Sequence, residues 1–127
     1  MDKAAMVSID VSQGSEVLDA LERAHVKVSV ALWMFMSEYE DWRLVVSSRQ
    51  FDSADPRKAY ALIHESLSSA EFPAKKTPAI IVLPTSDPFV RELRRIFGRT
   101  RSVNGMRLGG QMIGDRFVQD AYVYRIS

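Results

Sequence analysis

The sequence predicts an α+β fold: one mixed sheet of about five strands with helices packed on it, in the order α-β-β-α-β-α-β-β. Three features carry that expectation. Two alternating runs, VKVSVALWMFMS (26–37) and WRLVVSSR (42–49), flank the acidic EYED and read as a hairpin. Two helices begin in Asp-Pro, at Asp55-Pro56 and Asp87-Pro88, where the carboxylate caps and proline takes the first helical position. The tail from Met106 to Ile126 alternates around Gly114-Asp115, which suits a second hairpin with a type II′ turn.

Taken in order, the first dozen residues, with their partly alternating KAAMVSIDV, read as a short edge strand or a loose arm. A first helix is expected from about Ser15 to Ala24, with Val17, Leu18, Leu21 and Ala24 on one face and Ser12 or Ser15 as cap. The first strand begins polar on one face, at Lys27 and Ser29, and ends apolar on both, which places it mid-sheet. The second helix runs to about Ala70 and buries Ala59, Tyr60, Ile63, Leu67 and Ala70. AIIVL (79–83) is apolar throughout and reads as a fully buried central strand. The third helix spans about Pro88 to Phe97, with Gly98 as its stop. On it Phe89, Val90, Leu93, Ile96 and Phe97 share one sector, while Arg91, Arg94 and Arg95 face the other way. In the last strand Val118, Tyr122, Tyr124 and Ile126 alternate with Gln119, Ala121, Val123 and Arg125. Gly109-Gly110 marks a bulge or a close backbone approach.

A chain of 127 residues is one domain, 1–127, with enough material for a core that needs no staples. Its 46% hydrophobic and 26% charged residues are a globular composition. The absence of cysteine excludes disulfides, thiolate metal sites and cysteine nucleophiles, and suits a reducing compartment. No run approaches the ~20 apolar residues of a membrane helix, no signal peptide is read at the start, and the expected location is cytoplasmic with no membrane partner.

The net charge of +1 argues against a generally basic nucleic-acid binder. Its distribution is uneven. Residues 1–87 carry nine Lys or Arg against thirteen Asp or Glu, whereas residues 88–127 carry eight Arg against three acids. Five of those arginines fall in FVRELRRIFGRTR (89–101). Arginine suits bidentate contact with phosphate or carboxylate. The two oppositely charged parts could equally attract each other, within one molecule or between two.

Three segments together, ALWMFMSEYEDWRLVVSS (31–48), DPRKAY (55–60) and QDAYVYRIS (119–127), resemble a group of small bacterial proteins with no assigned function. The resemblance covers nearly the whole chain. It implies one compact bacterial domain and supplies no chemistry. Such sequences carry a glycine-rich loop before the last hairpin. Here that region is RTRSVNGMRLGG (99–110), with fewer glycines and more arginine, so no role is carried onto it.

Catalytic patterns are sparse. His25 and His64 are the histidines available; neither accompanies a GxSxG nucleophile, and His64-Glu65 lacks the second histidine of HExxH. Asp52, Asp55 and Asp87 flank helix starts that follow strands, where acids could hold magnesium in a nuclease with Lys58 nearby. Helix capping explains them in full. No cofactor is expected and no catalytic residue is assigned.

Three functional readings follow. The first is a non-enzymatic protein–protein or homo-oligomeric interaction module, its interface built from Met112, Phe117, Tyr122 and Tyr124 of the last hairpin, whose final strand could pair with a second copy if it lies at a sheet edge. The second is a site for nucleic acid or a phosphorylated ligand made by Arg91, Arg94, Arg95, Arg99 and Arg101, with Arg107 beside them. The third is a metal-dependent nuclease using Asp52, Asp55 or Asp87.

Overall fold

The structure, a computed structural model, describes residues 3–52, 55–100 and 102–127, with 3–10 as backbone alone. The chain runs α1 (Lys3–Arg23), β1 (Val30–Met36), β2 (Asp41–Ser47), α2 (Pro56–Ser69), β3 (Ile80–Val82), α3 (Pro88–Phe97), β4 (Met106–Leu108), β5 (Gln111–Ile113), β6 (Arg116–Val118) and β7 (Ala121–Ile126). Short 3-10 turns fill Arg49–Phe51 and Ala74–Lys76. The expected α+β class holds. Five strands form one mixed sheet in the order β3-β2-β1-β7-β4, with β2 and β3 parallel and the other pairs antiparallel. β5 and β6 form a separate two-stranded ribbon.

The sheet is covered on both sides, and its alternation sorts side chains between two cores. Ala31, Trp33, Leu44 and Val46 meet Val17, Leu18 and Leu21 of α1 and Ile63 and Leu67 of α2. Val30, Leu32, Met34, Val45 and Val123 meet Phe89, Val90 and Leu93 of α3 and Ile113 and Val118 of the ribbon. Each fully buried aliphatic side chain contributes about 1.5–3 kcal/mol relative to exposure, which favours covering both faces of β1, and β1 sits mid-sheet as expected, third in the order of five.

α1 is longer than expected. Where a short edge strand or loose arm was anticipated for the first dozen residues, the backbone is helical from Lys3. Ala4, Ala5 and Met6 are strong helix formers. In sequence, Val7, Val11, Gly14, Leu18 and Leu21 continue one helical stripe through the anticipated start at Ser15. The helix ends in a Schellman turn. Val26 N–H donates to the Leu21 carbonyl and His25 N–H to that of Glu22, each at 2.9 Å, with His25 at φ 65°.

The two Asp-Pro starts form as expected. Asp55 Oδ1 accepts from Arg57 N–H at 3.0 Å and Asp87 Oδ1 from Phe89 N–H at 2.9 Å. Gly98 ends α3, in helical rather than left-handed backbone. Ile96, at the margin of the apolar sector, is 45% exposed instead of buried. Tyr60, also expected inside, is 37% exposed, and its hydroxyl accepts from Val82 N–H at 3.1 Å.

β3, expected to be fully buried and central, is instead a half-buried edge strand, paired with β2 alone. An unbroken apolar run reports that both faces are covered, and Ile80 and Val82 indeed pack on one core and Ile81 on the other. It does not count hydrogen-bonded neighbours.

The last hairpin is also divided. The turn at Gly114 (φ 60°) closes β5 on β6 as anticipated. The strands then leave the ribbon at Gly109-Gly110 and Gln119-Asp120 and resume in the main sheet as β4 and β7. A Cβ at Gly109 would lie 2.9 Å from the Gln119 carbonyl oxygen, so the crossing needs glycine. The face assignment changes accordingly. Val118 and Ile126 belong with Ala121 and Val123 in the α3 core, not with Tyr122 and Tyr124. β7 takes in one extra residue opposite β1: Ala31 pairs with Arg125 and Leu32 with Val123, leaving Tyr124 as a bulge.

Tyr124 turns toward α1. Its hydroxyl accepts from Trp33 Nε1 at 2.9 Å and donates to the Val11 carbonyl at 2.6 Å. The helix can approach that closely because residue 14 has no side chain. A Cβ there would meet the Tyr124 hydroxyl and lie 2.6 Å from Trp33 Nε1. Alanine normally favours a helix interior over glycine by about 1 kcal/mol. At this position the clash should reverse the sign: Gly14→Ala is expected to destabilise by about 1–3 kcal/mol, read as a fall in Tm, while Ser15→Ala on the exposed side leaves Tm nearly unchanged. A rise in Tm for Gly14→Ala would refute the close contact.

Candidate functional site

The arginines of 89–101 do not form one continuous surface. Arg95 is tied to Glu92 one turn earlier, with Nε 2.5 Å from Oε1, and the hydrogen bond it donates pulls the Glu92 carboxyl below the ordinary carboxylate range. Arg107, on the edge strand β4, places one terminal nitrogen 2.7 and 2.9 Å from the two oxygens of Asp120. Arg94 turns its Nε to the Ser127 carbonyl oxygen at 2.8 Å. Arg91 and Arg99 are exposed and make no side-chain hydrogen bond or ion pair among the described residues. Arg101 lies outside the described residues. The anticipated row is thus broken by carboxylates of the same chain.

A different group of cations converges. At the end of the sheet where β2 and β7 finish and β1 begins, a cavity of about 420 Å³ is walled by Lys27, Arg49, Arg94 and Arg125, with Ser29, Ser48, Gln50 and Ser127 between them. Among the described residues no Asp or Glu lines it. The four cations come from the α1–β1 loop, the turn after β2, α3 and β7. Among the described residues Arg125 is the one of the four that meets an Asp or Glu side chain, that of Glu22 on α1, and it lies 3.5 Å from the Val28 carbonyl oxygen. Lys27 and Arg49 have no side-chain partner among the described residues.

The wall is held by neutral groups. Gln50 clamps the α1–β1 loop from both ends of its amide: Oε1 accepts from Lys27 N–H at 2.6 Å and Nε2 donates to the His25 carbonyl at 3.3 Å. The Ser48 hydroxyl donates to the Lys27 carbonyl at 2.6 Å and accepts from Gln50 N–H at 3.2 Å. Ser29 N–H donates to the Ser47 carbonyl at 2.8 Å, and Ser127 N–H to that of Ser29 at 2.9 Å, so the outer rungs of the sheet close the floor. Phe51, buried just beyond, anchors the turn that carries Arg49.

Sequence reasoning found Arg94 and missed Lys27, Arg49 and Arg125. Their signal is positional: each lies at the end of a strand, and antiparallel pairing of β1 with both β2 and β7 brings those ends together. None stands in a basic run, so charge clustering along the chain could not reveal them.

The anticipated interface also divides. Tyr122 and Tyr124 pack edge to face beside the α1 core, their centroids 5.4 Å apart, and β7 lies between β1 and β4 instead of at the edge of the sheet. Met112 and Phe117 are different. They stand directly opposite each other on the ribbon, 62% and 61% exposed, while Ile113 and Val118 face the core. In the acidic turn Asp41 is held by Arg43 at 3.0 Å, and the Arg43 guanidinium lies 4.6 Å from the Tyr39 ring centre.

The candidate metal ligands are occupied separately. Asp55 and Asp87 cap α2 and α3. Asp52 accepts from Thr85 N–H at 2.9 Å and from the Thr85 hydroxyl, tying the turn after β2 to the loop after β3. Among the described residues no three His, Cys, Asp or Glu side chains gather where they could hold a metal ion. His25 and His64 are both exposed. Among the described residues no helix is long and apolar enough to cross a membrane.

The Glu92–Arg95 pair makes a direct prediction. With the folded carboxyl held low by Arg95, the pair supports folding above the usual carboxylate range and that support fades as pH falls through the lowered value. In Arg95→Ala the Glu92 side-chain carbon signal should titrate at higher pH than in the parent; an unmoved titration would show that the pair is not populated in solution. Compared with protein-family models, curated proteins and solved structures, the chain matches none.

Proposed function

We propose that this domain is a non-enzymatic binding module that takes a phosphate-bearing ligand in the cleft at the sheet end. One observation carries the reading: four cations from four separate segments line a single cavity that no described Asp or Glu side chain lines. Guanidinium groups match phosphate oxygens in pairs, and lysine adds a compact point charge. Binding is favoured over catalysis because Ser48 and Gln50, the groups best placed in the wall, are spent on holding the loops. A cytoplasmic setting belongs to the same proposal, since phosphorylated small molecules are retained there by their charge.

A second reading rests on the ribbon. The exposed Met112–Phe117 pair has the composition of an interface, and we propose a second copy of this chain as its occupant. Sedimentation at low and high protein concentration should show reversible association that Phe117→Ser weakens. A parent protein that stays monomeric at the high concentration ends this reading and leaves the cleft untouched.

For the cleft, calorimetry with inorganic pyrophosphate should show binding that weakens steeply between ~50 and ~200 mM salt. Lys27→Ala with Arg49→Ala should cost about tenfold or more, the scale of one or two charge-assisted hydrogen bonds. Arg91→Ala with Arg99→Ala should leave it unchanged. Glu22→Gln should strengthen binding about two- to fivefold by removing the competitor for Arg125, a gain that structural damage does not produce. No binding of pyrophosphate at low salt refutes the proposal.

A further inference from the structure

Building on the phosphate reading, we infer that the ligand is a small phosphorylated polyol, of the chemical class of sugar phosphates, and not a nucleic-acid strand. The argument is one of size, wall chemistry and spare groups. A cavity of about 420 Å³ falls within the range of small-molecule sites. Its described lining holds no aromatic ring and one apolar side chain, Val28. Single-strand binders combine a long basic groove with rings on which bases stack. Here the described lining offers no ring, and Arg95, next to Arg94 on α3, is tied to Glu92.

The side chains left uncommitted define the complement. Ser48 and Gln50 are used in the wall, and Arg94 and Arg125 each have a partner on one side. Among the described residues Lys27, Arg49 and the Ser29 hydroxyl make no side-chain hydrogen bond or ion pair. Two free cations and one free hydroxyl suit a terminal phosphate attached to a hydroxyl-bearing body. The phosphate meets Lys27 and Arg49, with Arg125 joining as it exchanges Glu22 for the ligand. A sugar hydroxyl meets Ser29, which can both donate and accept.

The test compares ribose 5-phosphate, inorganic phosphate, ribose and a single-stranded RNA dodecamer by calorimetry at one low salt concentration. Ribose 5-phosphate is expected to bind about threefold or more tighter than inorganic phosphate, the effect of one neutral hydrogen bond, and ribose not at all. Ser29→Ala should bring the two phosphates to equal affinity while leaving inorganic phosphate unchanged. If inorganic phosphate binds and ribose 5-phosphate binds no better, this inference fails and the phosphate site stands. If the RNA dodecamer binds tenfold tighter than ribose 5-phosphate, the ligand is a strand and the inference is overturned. If none of the phosphate-bearing probes binds, the underlying reading fails with it.

Discussion

One extra residue in β7 sets both the core and the cleft. Along an uninterrupted strand, Ala121 and Val123 on the α3 side would be followed there by Arg125, and Ile126 would fall on the α1 side. The bulge at Tyr124 shifts the phase. Ile126 pairs with Val30 and is buried in the α3 core, whereas Arg125 pairs with Ala31 and comes out beside Glu22 of α1. Burying a guanidinium among Phe89, Val90 and Leu93 without a partner would cost several kcal/mol. The regular register is therefore closed to this sequence, and the bulge that avoids it also delivers Arg125 to the cavity wall.

The same bulge explains why α1 carries a glycine at its midpoint. Tyr124, displaced from the ladder, directs its hydroxyl to Trp33 and Val11, and α1 must lie close enough for the Val11 carbonyl to accept. Gly14 provides the room. The seating of α1 in turn fixes where Glu22 and the Schellman turn at His25 fall, and that turn launches Lys27 into the wall. A local irregularity in one strand thus reaches the candidate site by two routes, through Arg125 directly and through the position of α1.

Local grammar was legible in the sequence and pairing was not. Asp55-Pro56 and Asp87-Pro88 placed two helix starts to the residue, because a cap and a proline constrain the same few backbone groups wherever the helix packs. The β1–β2 hairpin followed from its alternation and short turn. The edge position of β3, the transfer of β4 and β7 to the main sheet and the phase change at Tyr124 all depend on which strands become neighbours, and no local pattern encodes that. The Glu92–Arg95 pair is also legible as i, i+3 spacing. The cleft cations were hidden for the same reason as the strand order. Lys27, Arg49 and Arg125 are far apart in sequence and meet because three strand ends meet.

Arginine density and anion affinity are different quantities. The exposed pairs of Arg95 with Glu92 and Arg107 with Asp120 are screened by solvent, and they lower the local field without holding the side chains rigidly. On α3 the guanidinium groups sit on long flexible stems with one acid, Glu92, among them, so a ligand there would have to order them. In the cleft, Gln50 and Ser48 already fix the backbone that carries Lys27 and Arg49, and the sheet fixes Arg125. Ordering a long side chain costs about 0.5–1.5 kcal/mol on binding. A frame that has fixed the backbone in advance leaves that side-chain cost as the main entropic charge against four attractive contacts. Convergence of cations from four segments on one cavity, more than the number of arginines, sets the sheet end apart from the helix face.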